Sequence, residues 1–222
     1  MTDAPLVAGS LFGLRTWRVV AADGGEALVG PLYDAPWPTG GKWLRASCDG
    51  GHLAPDPECE CGLHAWHPGQ KSARDVMAVR GMVPGVLEAQ GPVEVHEDGF
   101  RAERGRPYAL VAMPGRNAEL VRRVAERYGA AVIDAARPEQ LLAYCRQHGL
   151  GMDERVVAAL LGIPDPAERR RAKLRKTRGD VMRVAALVVI SVLLVVLGLA
   201  LITDPPGERT LYGRTGEVHV VH

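Results

Sequence analysis

Residues 184–202 form an uncharged run of nineteen, in which Ser191 has the only strongly hydrogen-bonding side chain. Backbone amides in such a run need partners of their own, and a helix supplies them. At about 1.5 Å per residue the helix would reach roughly 28 Å, close to the ~30 Å hydrocarbon core of a bilayer. The sequence therefore predicts one C-terminal transmembrane helix over 184–203. Asp204, Pro205 and Pro206 follow it, and proline cannot continue the hydrogen-bond ladder. A buried core helix is the alternative, but such helices are shorter or carry a polar stripe.

The flanks orient this span. Arg169, Arg170, Arg171, Lys173, Arg175, Lys176, Arg178 and Arg183 precede it, whereas only Arg209 and Arg214 follow it. Positive residues stay on the cytoplasmic side, so a single-pass protein of the cell membrane is expected, N-terminus inside and C-terminus outside. The juxtamembrane segment 164–183 carries a net +5. Each cation beside an anionic leaflet contributes about 1 kcal/mol, so Arg169, Arg170, Arg171, Lys173, Arg175, Lys176 and Arg178 are the expected lipid contacts. The tail 204–222 is too short to bury a core. Its end, 217–222, alternates polar residues with valine as an added strand would, but a disordered tail is the expected reading.

Residues 1–163 carry a net −3 and offer no basic face for nucleic acid. A secretory signal is not expected, because Asp3, Arg15 and Arg18 interrupt the first twenty residues without an apolar run. Cys48, Cys59, Cys61 and Cys145 then read as thiols or metal ligands rather than as a disulfide framework.

Along this region, two strands are expected within 11–33, joined at Asp23-Gly24-Gly25, and a short one near 43–48. A helix is expected over 72–80, capped by Ser72. Strands follow at 83–89, 93–96, 100–103 and 108–112, with a hairpin over 93–104 turning at Asp98-Gly99. Helices come next, from Asn117 to about Tyr128, from Pro138 to about His148 and from Asp153 to Leu161, with a short strand at Val132-Ile133. Strands first and helices second imply α+β: a small, mainly antiparallel β domain (1–115), a helical subdomain (116–163), and the C-terminal transmembrane helix.

Chemistry concentrates in the loop 48–67. Cys48-x3-His52-x6-Cys59-x-Cys61 lies among Gly, Pro and Asp, with His64 and His67 just beyond. Three thiols and an imidazole make a four-ligand set that suits structural zinc. Zinc would contribute on the order of 10 kcal/mol to folding a segment that buries little apolar surface. His64 or His67 can replace His52 in this count. The other reading takes the cysteines as small buried apolar residues and the histidines as surface groups.

The run His52-x-Ala54-Pro55-x3-Cys59-x-Cys61-Gly62-x2-Ala65-Trp66 resembles a motif of a mostly actinobacterial protein family. Gly13-Leu14-Arg15-x-Trp17 and Gly99-Phe100-Arg101-Ala102-Glu103 resemble it too, so the likeness covers roughly 13–112. That family has an aromatic residue at the position of His64, which implies His52 as the fourth ligand. No activity is attached to it.

Phosphate-loop, His-Glu-x2-His, Gly-x-Ser-x-Gly and dinucleotide templates are missing from the sequence. His96-Glu97-Asp98 reads as a solvated turn, and Cys145 as core beside Leu141 and Leu142. Trp17, Trp37, Trp43 and Trp66 read as packing of a small β core, or as the lining of a ligand groove. The expected function is a membrane-anchored cytoplasmic zinc-binding interaction or scaffold module with a protein partner. The alternative is a membrane-tethered zinc- or thiol-dependent enzyme of the hydrolase class.

Overall fold

A computed structural model describes residues 9–115 and 118–165, and scattered positions from 168 to 194. The chain divides into two compact units, Met1–Pro166 and Ala167–His222.

In the second unit, the transmembrane helix expected over 184–203 needs correction. Among the described residues no helix is long and apolar enough to cross a membrane. Arg171 and Arg175 are helical and exposed. Arg169, Arg170, Lys173, Lys176, Arg178 and Arg183 lie outside the described residues, as do the tail 204–222 and the cap expected at Asn117.

The first unit begins with β1 (Leu11–Ala22) and β2 (Gly25–Val29), an antiparallel hairpin turning at Asp23-Gly24. Two short strands follow, β3 (Leu44–Arg45) and β4 (Leu63–Trp66), then α1 (Gln70–Ala78). Two long strands come next, β5 (Met82–Val95) and β6 (Gly99–Ala112). The remainder is α2 (Ala118–Tyr128), β7 (Ala131–Asp134), α3 (Pro138–Gln147) and α4 (Glu154–Leu160). Strands and helices are therefore interleaved. The sheet is mixed, because β7 runs parallel to β6 while the other pairs are antiparallel.

Four expected strands merge into two. Gln90-Gly91-Pro92 falls within β5 at a register shift, and Pro107 lies in β6 opposite Leu87 beside another. Gly and Pro here mark bulges that bend continuous strands, a role that punctuation alone does not distinguish from a strand end. The tight turn at 96–98 stands where Asp98-Gly99 places it, with the His96 amide donating to Gly99 O at 2.8 Å.

These bends let the sheet close. β1 pairs with β5 from Leu11↔Ala89 to Arg18↔Met82, β5 with β6, and β6 with β4 from Leu63↔Ala102 to Trp66↔Gly99. A single bridge, Leu14↔Trp66, joins β4 back to β1. The result is a four-stranded ring. Side chains alternate across a strand, so Leu11, Leu63, Ala65, Leu87, Ala89 and Phe100 share the enclosed side and are all buried. Space there is short: a Cβ on Gly13 would stand 2.6 Å from Phe100 Cε1 and 2.7 Å from Ala65 Cβ.

The opposite side, with Leu14, Val86, Ala109 and Val111, is covered by α1 and α3 through Val76, Met77, Leu141 and Cys145. Cys145 is core as expected, and burial pushes its thiol up to about 11. Helix α2 buries Val121, Val124, Ala125 and Tyr128, one face at helical spacing. The Tyr128 hydroxyl accepts from Leu28 N at 2.8 Å and donates to Trp37 O at 3.1 Å. That pins the loop 30–37 to the ring and packs Trp37 edge-on against Trp17, with centroids 5.7 Å apart.

Helix α1 starts two residues before the expected cap. Ser72 lies inside the first turn, where its hydroxyl accepts from Gly69 N at 2.9 Å and donates to His67 O at 2.6 Å.

Candidate metal centre

The segment between β3 and β4 has little apolar anchor: only Ala54 and Pro55 are buried, and Ala46 packs partly against the core. Polar turns shape it instead. In the turn at 48–51 Gly51 N donates to Cys48 O at 3.1 Å, and Gly50 N points at Cys48 Sγ at 3.4 Å. Gly51 holds φ +76, which a side chain would strain. In the next turn Asp56 Oδ1 accepts from Glu58 N at 2.8 Å and Asp56 O from Cys59 N at 3.0 Å, an Asx turn that swings Cys59 back. Gly62, at φ +122, sends the chain from Cys61 into β4.

These turns bring Cys48, His52, Cys59 and Cys61 together. Their ligand atoms all lie within 4.8 Å of one another. Cys48 Sγ is 3.7 Å from Cys59 Sγ, and His52 Nε2 is 3.3 Å from Cys61 Sγ. Tetrahedral ligation with bonds near 2.3 Å for sulfur and 2.0–2.1 Å for nitrogen implies ligand separations of roughly 3.5–4 Å. The four side chains can hold a metal ion.

The other two histidines point elsewhere. His64 Nε2 lies 2.9 Å from Glu60 O, on the exposed face of β4. His67 Nε2 lies 3.0 Å from His96 O, and its ring packs near Phe100.

The thiols differ in acidity. Cys59 is held below the ordinary thiol value, first by the backbone amide of Cys61 and then by Cys48. Burial pushes Cys61 up.

Beneath the loop sits Arg101 of β6, 7% exposed. Its guanidinium donates to the carbonyls of Cys59, Cys61 and Asp56, and pairs with Glu94 across the β5–β6 hairpin. One buried cation thus fixes the backbone of two of the four candidate ligands. Metal sites depend on such outer partners by about 10–100-fold in affinity. Arg101→Lys, which keeps the charge but cannot reach all four acceptors, is expected to speed metal loss to a chelator by about tenfold. Stopped-flow transfer to a coloured chelator would measure it.

No family model, curated protein or solved structure matches this chain.

Sequence reasoning named the four clustered residues but missed Arg101 and Glu94 as their support. The hairpin register contained the signal, since a turn at Asp98-Gly99 sets Glu94 opposite Arg101. His96 is exposed, with Nε2 3.3 Å from Glu94 Oε1, and Glu97 and Asp98 are exposed in the turn. The tryptophans divide. Trp17 and Trp37 are core, Trp66 is 44% exposed, and Trp43 lies under the guanidinium groups of Arg104 and Arg106.

His67 has a pH consequence. A carbonyl can only accept, so Nε2 carries the proton and Nδ1 is left buried without a partner. Burial lowers its pKa, against smaller raising effects of His96 O, Asp98 and Gly99. The unfolded chain therefore takes the proton first. Stability from neutral His67 is complete above about pH 6.5 and falls as pH drops below it. Denaturant melts at pH 7.5 and 5.5 should show a smaller loss in His67→Phe than in the wild type.

Proposed function

We propose that the chain is a zinc-braced interaction module, with the metal in a structural role. The supporting observation is convergence of four candidate ligands, three of them thiols, with ligand atoms within 4.8 Å of one another. Thiolate and imidazole donors select zinc over the hard oxygen-loving cations. Four protein ligands fill a tetrahedral sphere, and a hydrolytic zinc would need an open position for water.

In this reading the metal replaces the apolar core that the 46–62 segment lacks, and it fixes a loop that presents Leu53, 80% exposed. Leu32 and Tyr33, 86% and 76% exposed, add apolar side chains from a second loop. Such side chains suit a partner surface better than water.

Elemental analysis of the full chain, purified under reducing conditions, tests the reading. About one zinc per chain is expected, and cobalt substitution should give the visible bands of a tetrahedral thiolate site. Metal-free protein whose four candidate ligands can be changed without effect would overturn it. A spectrum with a bound, exchangeable water would favour an open catalytic metal instead.

A further inference from the structure

Three thiols in one cluster can do more than hold a metal. Cys48, Cys59 and Cys61 are each half-buried, whereas Cys145 is buried, so a small oxidant in solvent reaches the cluster and not the core cysteine. Cys48 Sγ stands 3.7 Å from Cys59 Sγ, and a disulfide brings two sulfurs to about 2.0 Å. The backbone behind the two is anchored unequally. Arg101 donates to the carbonyls of Cys59 and Cys61, which ties that side of the cluster to β6. Cys48 belongs to the separate turn 48–51, where Gly51 N donates to Cys48 O at 3.1 Å and Gly51 holds φ +76. Glycines at 50 and 51 leave this turn freer to adjust than the side held by Arg101.

The third thiol is poorly placed to compete for Cys59. Only Glu60 separates Cys59 from Cys61, and one guanidinium holds both carbonyls, so joining those two sulfurs would distort backbone that Arg101 fixes. Cys61 Sγ lies instead against His52 Nε2, at 3.3 Å. The cluster thus divides into a thiol–thiol contact and a thiol–imidazole contact. Bonding Cys48 to Cys59 would take away two of four ligands. The thiolate and imidazole that remain do not fill a tetrahedral zinc sphere.

We propose that this centre is a peroxide-sensitive switch, in which oxidation joins Cys48 to Cys59 and releases the zinc. The inference rests on the zinc reading above. Hydrogen peroxide is the oxidant. One thiolate of the pair attacks it, taking up a hydroxyl group as a sulfenic acid while hydroxide leaves. The other thiolate then attacks that sulfur, forming the S–S bond and expelling a second hydroxide. Two electrons pass from the two sulfurs to the peroxide, and zinc departs with two ligands lost. The chain stays closed from 48 to 59 in both states, first through the metal and then through the disulfide. Leu53 remains within that closed loop, while His52 is freed. A thiol reductant reverses the step.

The full-length chain, purified with its zinc, would be titrated with hydrogen peroxide beside a coloured chelator, and its disulfides mapped by mass spectrometry. About one zinc should appear for each Cys48–Cys59 disulfide formed. Dithiothreitol with added zinc should restore the metal-bound form. Cys48→His keeps four ligands but lacks the second thiol of the pair, and should release zinc about tenfold more slowly. Cys61→His keeps the pair and should release zinc as the wild type does, which carries the comparison if Cys48→His does not load. A chain without zinc at the outset would overturn the metal reading and this inference with it. Zinc retained under excess peroxide, zinc released without a disulfide, or a disulfide to Cys61 would each overturn the switch and leave the metal reading standing. So would equal release from loaded Cys48→His and wild type.

Discussion

Cys61→Ser is expected to purify with less than about a tenth of the wild-type zinc, whereas Cys145→Ser keeps it. Loss of one thiolate from a four-ligand structural site removes much of a binding free energy on the order of 10 kcal/mol. The contrast with Cys145 matters because both residues are cysteines in the same unit. Cys145 is sealed between α3 and the sheet, away from the cluster, with its thiol pushed up by burial. The fold of Cys61→Ser should fail locally. Among residues 46–62 only the small apolar pair Ala54 and Pro55 is buried, so losing the metal removes the loop's main support and leaves the ring its own. Hydrogen exchange should report lost protection from 46 to 66, with β5 and β6 retained. Global unfolding would show instead that the metal supports the ring.

Gly85→Ala should have the second large effect. Its Cβ would stand 2.2 Å from Ala109 O and 3.1 Å from Trp17 Cζ3. The oxygen belongs to backbone in the paired strand, so no side-chain rotation relieves the clash. β5 and β6 must part, at the point where β5 also pairs with β1 through Arg15↔Gly85. Overpacking of this kind costs about 3 kcal/mol or more, a fall in Tm of roughly 10 °C for a domain of this size. Gly30→Ala is the control. Its Cβ meets nothing closer than 3.6 Å, and its stability should stay within about 0.5 kcal/mol of wild type. Equal thermal melts for Gly85→Ala and Gly30→Ala would mean that the strands are not so closely apposed.

Much of the fold was legible because period and punctuation agreed. The hairpin at Asp98-Gly99, the helical spacing from Val121 to Tyr128 and the proline at the start of α3 each carry their own local cause. β4 was not legible. Leu63-His64-Ala65-Trp66 is too short to display a period, and it becomes a strand only because β6 offers an open edge beside it. The parallel strand β7 is legible as a strand but not as a partner of β6, since register between distant strands is set by packing. The span over 184–203 failed differently. Hydropathy reports what a segment can do when it is continuous and helical, and no described helix there has the required length.

The site was legible as a cluster, because clustered thiols in Gly/Pro-rich chain have few other uses. Its support was not, because Arg101 in sequence is one more charged strand residue.

The ring also imposes a schedule on the growing chain. β1 is made before its partners on β5, which lie more than sixty residues downstream, from Arg18↔Met82 to Leu11↔Ala89. The ligand loop and the β5–β6 hairpin are local and can form as soon as they emerge. Pairings of long sequence separation are slow because loop closure precedes any gain in contacts. β1 can form its hairpin with β2 at once, yet it is among the last to find its place in the ring. Until the ribosome has released the segment through β5, Leu14 and Trp17, fully buried at the end, travel uncovered.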